Sequence, residues 1–258
     1  MTNYRMSHKF KDWVNNRYRK KVKIKDIKQI NNIYKACQLT SFIYEKIIEN
    51  DLKPGVTEKE IAKKIYDYSQ QYGADKNLAF TTMVASGPNS SFVHSKPSDR
   101  VIKQGDIVQF DFGVKYKGYC SDLSRVVYMC KDNGKYSSKM YERYKLVKKA
   151  QKKAVKNLEM GMPLRDIQES VIHSYEKKDL HYYYQHSLGH GVGLDIHEFP
   201  TISADSPKEL CPQEGMVVTI EPGLYFPGKY GFRIEDTVLV TKFGVVNLTK
   251  ASKKFFIY

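Results

Sequence analysis

Long apolar runs are missing from this chain of 258 residues: nowhere do about 18 consecutive apolar residues follow one another, so no segment reads as a membrane-spanning helix. The opening MTNYRMSHKF has no apolar core of the signal-peptide kind, and the expectation is a cytoplasmic protein without membrane partners. Cysteine is scarce. The four thiols, Cys37, Cys120, Cys130 and Cys211, never stand in CxxC spacing, which excludes a disulfide framework and a zinc finger and suits a reducing compartment. No Pro/Ser-rich linker divides the chain, so residues 26–258 read as one domain behind a basic N-terminal arm, residues 1–25. Acidic side chains are the minority, 28 against 43 Lys and Arg, for a formal net charge of +15. That excess alone would suggest a nucleic-acid partner.

The charge is unevenly placed. Residues 1–30 hold ten basic side chains and two acids, a local +8, which leaves about +7 for the remaining 228 residues. A second run, Lys145, Lys148, Lys149, Lys152, Lys153 and Lys156, falls at helical spacing and reads as a solvated helix face. Neither run carries an aromatic-interleaved RNA-binding signature, and helix-turn-helix spacing is absent. Weak contacts of the arm with an anionic surface are the most this pattern supports.

What is present is a repeated grammar. Residues 26–50 and 58–72 have helical periodicity and are parted by LKPGVT, where Pro54-Gly55 breaks the helix and Thr57 can cap the next. Residues 138–159 and 164–177 repeat this around MGMP. A shift of 106 places Gly55 on Gly161, Glu60 on Asp166, Ile61 on Ile167 and Ile65 on Val171. β-rich sequence ending in a hairpin follows each pair. Two αα-plus-sheet halves related by a pseudo-twofold axis, an α+β fold, are the expectation.

Both hairpins carry acids off their apolar faces. Val108, Phe110, Phe112 and Val114 alternate with Ile107, Gln109 and Asp111, so Asp111 points away from the apolar face. A two-residue turn at Tyr116-Lys117 would set Asp111 opposite Asp122, unless a bulge at Gly118 shifts the register. In the second hairpin Met216, Val218 and Ile220 form the apolar face, and Glu221 matches Glu235 about a midpoint at Gly228. If the halves face each other, four carboxylates converge at a cost of several kcal/mol, which two divalent cations would offset.

Histidines gather nearby. His8, His173 and His181 read as surface residues, whereas HSLGHGVGLDIHEFP holds His186, His190 and His197 within twelve residues, and His94 follows VASGPNSSFV. GHGVG lacks the Lys-Ser/Thr of a phosphate-binding loop. Three histidines beside four paired acids favour a metal site.

In order, VASGPNS…H, DFGVKYKGYCSD, HSLGHGVGLDIHE, GMVVTIEPG and FRIEDTVLV resemble the pita-bread metallopeptidases, in their Xaa-Pro aminopeptidase and prolidase branch. The resemblance runs from about residue 26 to the end. It implies a pita-bread fold and a dinuclear site held by Asp111, Asp122, His190, Glu221 and Glu235. It also implies His94 and His197 on substrate and tetrahedral intermediate, and His186 and Arg233 as further residues of the proline-specific branch. The implied reaction is release of the N-terminal residue from peptides with a free N-terminus, at Xaa-Pro bonds, by a metal-bridging hydroxide, with Glu221 shuttling the proton. Four carboxylates and one imidazole make a hard, oxygen-rich set that favours Mn²⁺, with Co²⁺, Zn²⁺ and Fe²⁺ open.

Methionine aminopeptidases resemble the chain in ligand set and fold, but usually lack the equivalents of His186 and Arg233. Inactive pita-bread domains that bind peptide or RNA generally lose metal ligands, and here all five are present. Cys120, beside the Asp122 strand, reads as a small core filler. Oligomeric state is left open.

Overall fold

Asp26 and Thr57 start the first two helices. Each side chain accepts from the N–H three residues on, while Gln29 and Glu60 reach back to the cap's own N–H. The structure, a computed structural model, describes residues 21–130 and 138–257. Most of the basic arm, residues 1–20, therefore lies outside the described residues, as does His8. Helix α1 spans Ile27–Lys46 and runs into a π turn at Ile47–Asp51. Helix α2 spans Glu58–Gln71, after a break at which Gly55 takes φ 101°. The second pair is α3, Ser138–Glu159, and α4, Leu164–Glu176, parted by Gly161 at φ 72°. All four helices fall where the periodicity places them. Among the described residues no helix is long and apolar enough to cross a membrane.

The strands are β1 Met83–Ser86, β2 Ile107–Phe112, β3 Lys115–Tyr116, β4 Tyr119–Cys120 and β5 Leu123–Met129 in the first half. The second half adds β6 Gly189–Gly191, β7 Glu198–Ile202, β8 Val217–Ile220, β9 Gly223–Phe226, β10 Tyr230–Arg233, β11 Asp236–Thr241, β12 Gly244–Asn247 and β13 Phe256–Ile257. One sheet has the order β1-β2-β5-β13, the other β12-β11-β8-β6-β7, and β3-β4 and β9-β10 form two-stranded ribbons. Val108, Phe110 and Phe112 pack with Ile43, Ile61 and Ile65 of the first helix pair. Val218 and Ile220 pack with Val147, Ala154, Ile167 and Val171 of the second. A smaller cluster, with Ile33, Cys37, Cys120, Val192 and Val217, bridges the halves, and Cys120 is the core filler expected.

The register of the first hairpin differs from the expectation. Its turn is Lys117-Gly118, both at positive φ (51° and 82°), with Lys115 facing Cys120 and Tyr116 facing Tyr119. A two-residue turn of this hand needs φ > 0 at both central positions, and placing Gly118 at the second meets half of that at no steric cost. The frame moves by two residues as a result: Asp111 faces Ser124, and Asp122 lies in the gap before β5. A shift of two keeps every side chain on its face, so both acids still point to the same side.

A buried polar network fastens the halves behind this sheet. Arg125 on β5 donates to Asp236 Oδ1 at 2.7 Å, to the carbonyl of Glu235 and to that of Ala251 at 3.0 Å; Lys253 and Gln151 complete the Asp236 carboxylate. Arg125 and Asp236 are each 1 % exposed. Removing one member of such a pair strands a buried charge. Asp236→Asn is therefore expected to lose ~3–5 kcal/mol, read as a drop in the urea midpoint at unchanged slope.

Candidate active site

Glu221 and Glu235 sit where the second hairpin leaves its ladder. The pairs Ile220–Asp236 and Gly223–Arg233 flank them in one continuous register about Gly228, as the midpoint predicts. At the break the Glu221 N–H turns to the carbonyl of Leu188, 2.8 Å away, and the Glu235 N–H crosses to that of Ser124, 3.1 Å away. Both carboxylates thereby leave the sheet and face the first half. From that half come Asp111 and Asp122, the latter fixed through its carbonyl, which accepts from Thr237 Oγ1 at 2.9 Å. His190 is the central residue of β6, with its N–H on Thr219 Oγ1 at 3.0 Å.

One cavity of about 840 Å³ is lined by all five of these groups. It is lined as well by His94, His186, His197 and Arg233, so every site residue expected from the sequence meets in one place. Asp122, His190 and Glu235 each offer a ligand atom within 4.8 Å of the others. His190 Nε2 lies 3.6 Å from Asp122 Oδ2 and 3.5 Å from Glu221 Oε1. Its other nitrogen, Nδ1, is 3.1 Å from the carbonyl of Gly191, the proton acceptor that fixes the tautomer and leaves the Nε2 lone pair facing the acids.

The electrostatics are those of a site with a cation to gain. Burial, then Glu235, Asp111 and Glu221, hold the Asp122 carboxyl well above the usual carboxylate range. Burial with Glu221 and Asp111 does the same for Glu235. Glu221 is pushed up to about 8, chiefly by burial, against the lowering pull of Arg233. His190 is lowered to about 4 by burial and by His197, so its ring is neutral near pH 7. Three buried oxygens, Asp111 Oδ1, Asp122 Oδ1 and Glu235 Oε1, have no hydrogen-bond partner among the described residues. Orphaned carboxyl oxygens around a neutral imidazole fit divalent cations.

Arg233, 2 % exposed, anchors the acid side. It donates to Asp111, to Ser124 Oγ at 2.8 Å, to the carbonyl of Val93 at 3.0 Å and to the Tyr225 oxygen at 2.7 Å. The Tyr225 hydroxyl in turn lies 2.9 Å from His186 Nε2, while His186 Nδ1 meets the carbonyl of Ser187 at 2.7 Å. Burial and the Arg233 charge lower His186 to about 3, so the neutral ring accepts from Tyr225. His94 and His197 are exposed at the cavity's open side. The loop carrying His94 hangs on Glu58, a fully buried carboxylate at the start of α2 that accepts from the N–H groups of Ser86 and Ser98 and from Asn89 Nδ2.

Sequence reasoning missed Ser124, Thr219 and Tyr225. Ser124 binds Glu235 Oε2 at 2.8 Å as well as Arg233, and Thr219 sits 3.5 Å from Glu221 Oε1. Thr219 carries a readable signal, since it precedes Glu221 by two residues on a strand and so shares its face.

The chain matches metallopeptidase family M24 over residues 31–242. It is 39 % identical over 231 residues to an Xaa-Pro dipeptidase of Pyrococcus horikoshii, covering 90 % of this chain and 64 % of that protein. Among solved structures it is similar to an Xaa-Pro dipeptidase from Bacillus anthracis (TM-score 0.86, 34 % identity, 95 % of this chain and 66 % of that one). It is similar also to an X-Pro aminopeptidase from Thermotoga maritima (TM-score 0.85, 33 % identity, 95 % and 67 %). The chain thus spans about two thirds of the length of these relatives. With the pita-bread fold expected from its motifs and a family match across most of its length, the chain belongs to metallopeptidase family M24.

Proposed function

We propose that the chain is a two-metal exopeptidase that releases the N-terminal residue from peptides with proline in second position. The observation that carries this reading is the convergence of four carboxylates and a neutral His190 in one cavity, with three of their oxygens orphaned. Asp111, Asp122, His190, Glu221 and Glu235 would hold the metals. Four ionised carboxylates against the single guanidinium of Arg233 leave three negative charges, more than one divalent ion offsets. The oxygen-rich set favours Mn²⁺, with Co²⁺, Zn²⁺ and Fe²⁺ as the other candidates. When bound, the metals supply Lewis acidity that polarises the scissile carbonyl and acidifies water.

The chain's own groups do the rest. The acid-rich floor attracts the substrate's α-ammonium group and so selects a free N-terminus. His94 and His197, on the open side of the cavity, donate to the oxygen that becomes negative as the amide is attacked, a contribution of ~2.7–4 kcal/mol per donor. Glu221 takes up a proton during the attack and returns it to the leaving nitrogen. Arg233 holds Asp111 in place, and Tyr225 holds His186 in one tautomer beside the site. The dipeptidase and aminopeptidase names of the relatives above support Xaa-Pro bonds as the substrate class. With Mn²⁺ and a peptide library, the purified protein is expected to release the first residue from Xaa-Pro peptides. Release of Met from Met-Ala peptides, with Xaa-Pro peptides intact, would overturn the specificity.

The crowded acids also set a pH dependence for the metal-free protein. Asp122, Glu221 and Glu235 have folded pKa values above their unfolded ones, so their contribution is complete in acid and is lost as pH rises, for Glu221 up to about 8. His190 and His186 shift the other way and add the opposite slope around the free imidazole pKa of about 6.5, but above about pH 7.5 both are neutral in either state and add almost none. Between about pH 7.5 and 8.5 metal-free stability should therefore fall by up to ~1.4 kcal/mol per pH unit for each proton held only in the fold. Thermal melts with and without Mn²⁺ measure this; the metal-loaded protein should be flat there. Asp122→Asn should lose peptidase activity yet melt higher than the parent when metal-free at pH 8. A pH-independent metal-free melt would sink the premise that the acids repel.

A further inference from the structure

Beside the cavity lies an ion pair that the proposed chemistry does not use. Glu198, the first residue of β7, has a side chain 2 % exposed, and Lys25, just before α1, one 5 % exposed. Lys25 Nζ meets Glu198 Oε2 at 2.6 Å and also donates to the carbonyl of Lys23 at 2.9 Å. Glu198 Oε1 takes Lys23 Nζ at 3.1 Å and the N–H of Leu194 at 3.1 Å. The carboxylate thus closes the loop 193–197, whose last member, His197, adjoins it in the chain. Gly193 is built for this closure: a Cβ there would lie 2.4 and 2.6 Å from the two carboxylate oxygens. The loop's further ties are the carbonyl of Gly193, which accepts from the Cys120 N–H at 2.7 Å, two residues before Asp122, the carbonyl of Leu194, 3.4 Å from Cys120 Sγ, and the Asp195 carboxylate, 3.3 Å from the exposed Lys23 Nζ. At its end the His197 ring packs edge-on against His190, centroids 4.3 Å apart. Lys25 is itself seated, its N–H on the carbonyl of Gly215 at 2.9 Å with Val22 in the second core.

We infer that the Lys25–Glu198 pair holds the loop 193–197 against the cavity, which makes Lys25 a positioning residue that acts through His197; this rests on the peptidase reading above. His197 is exposed, its ring meets His190 edge-on, and the carboxylate that closes the loop stands one residue on. A buried charge-assisted bond gives the loop one position where a neutral contact would leave it several.

The test uses the full chain with Mn²⁺ and the variants Lys25→Met, Glu198→Gln and both together. Lys25→Met keeps the aliphatic stem and removes the charge. It is expected to lower kcat on an Xaa-Pro peptide by 10- to 100-fold with KM within about threefold, at unchanged metal content. Amide exchange of residues 193–197 should speed up at least tenfold while β2 and β8 stay protected. The double variant, with no stranded charge, should regain Tm but not kcat. Exchange at 193–197 unchanged in Lys25→Met, or kcat returning with Tm in the double variant, would overturn the inference and leave the pair a stabilising one. If Lys25→Met does not fold, Glu198→Gln carries the exchange measurement with the same two outcomes. Exchange is read without substrate, so a wild-type chain inactive on Xaa-Pro peptides would defeat the function reading and leave the loop test standing.

Discussion

Bringing Asp111, Asp122, Glu221 and Glu235 into one cleft places like charges where water screens them poorly, and the surrounding structure is arranged around that repulsion. Each half contributes two of the acids, so closing the halves calls for bound protons or positive charge between them. Arg233 supplies part of that charge, bonded to Asp111 and held by Ser124, Val93 and Tyr225, while it also pulls on Asp122, Glu221 and Glu235. The acids are themselves tied by their backbones to the opposite half, Glu235 through Ser124 and Asp122 through Thr237. Short of taking up protons or a cation, relaxing the repulsion would mean parting the halves. Metal binding and the closure of the two halves are, on this geometry, one free energy, which is why the sign of the pH slope is informative about the site.

The same economy of interior charge recurs elsewhere. Three basic side chains are buried among the described residues, Lys25, Arg125 and Arg233, and each is bonded to an acid more than a hundred positions away: Glu198, Asp236 and Asp111. Buried pairs add little net stability, because desolvation takes back most of the attraction. They are costly to mispair, however, and so fix which strand meets which. Arg125 fastens the backbone behind Glu235, Arg233 fastens Asp111, and Lys25 fastens the loop of His197. The three cations that the interior admits all end within one residue of the cavity's functional groups.

The helices were legible because their causes are local: capping residues, Pro-Gly breaks and apolar spacing act within a few positions, and Asp26, Thr57 and Gly55 do what their types dictate. The acids were legible because a strand's period of two tells which face a residue takes. The register of Asp111 was not, since it hinges on whether Tyr116 or Lys117 opens the turn, and only positive φ at Lys117 decides it. Ser124, Tyr225 and Glu198 were hidden for another reason. Their roles depend on partners brought by the packing of the two halves, and a serine opposite an aspartate, or a glutamate after a histidine, has no spacing of its own. The meeting of the five expected ligands and four further expected residues in one cavity shows how much the motifs do carry.

Net charge misleads about the arm in a similar way. The lysines of α3, Lys145 through Lys156, are solvent-exposed as their helical spacing implies, and they leave the cavity untouched. On composition the arm belongs with them, and a boundary at residue 25 separates it from the domain. Yet Lys23 and Lys25, two of the arm's basic side chains, converge on Glu198, and Val22 joins the second core. An exposed lysine and a lysine paired in the interior contribute equally to a net charge of +15, although one is solvated and the other replaces its water with a carboxylate and a carbonyl. Burial, which composition does not encode, divides the positive charge of this chain into a surface property and a structural one, and the division falls inside the arm.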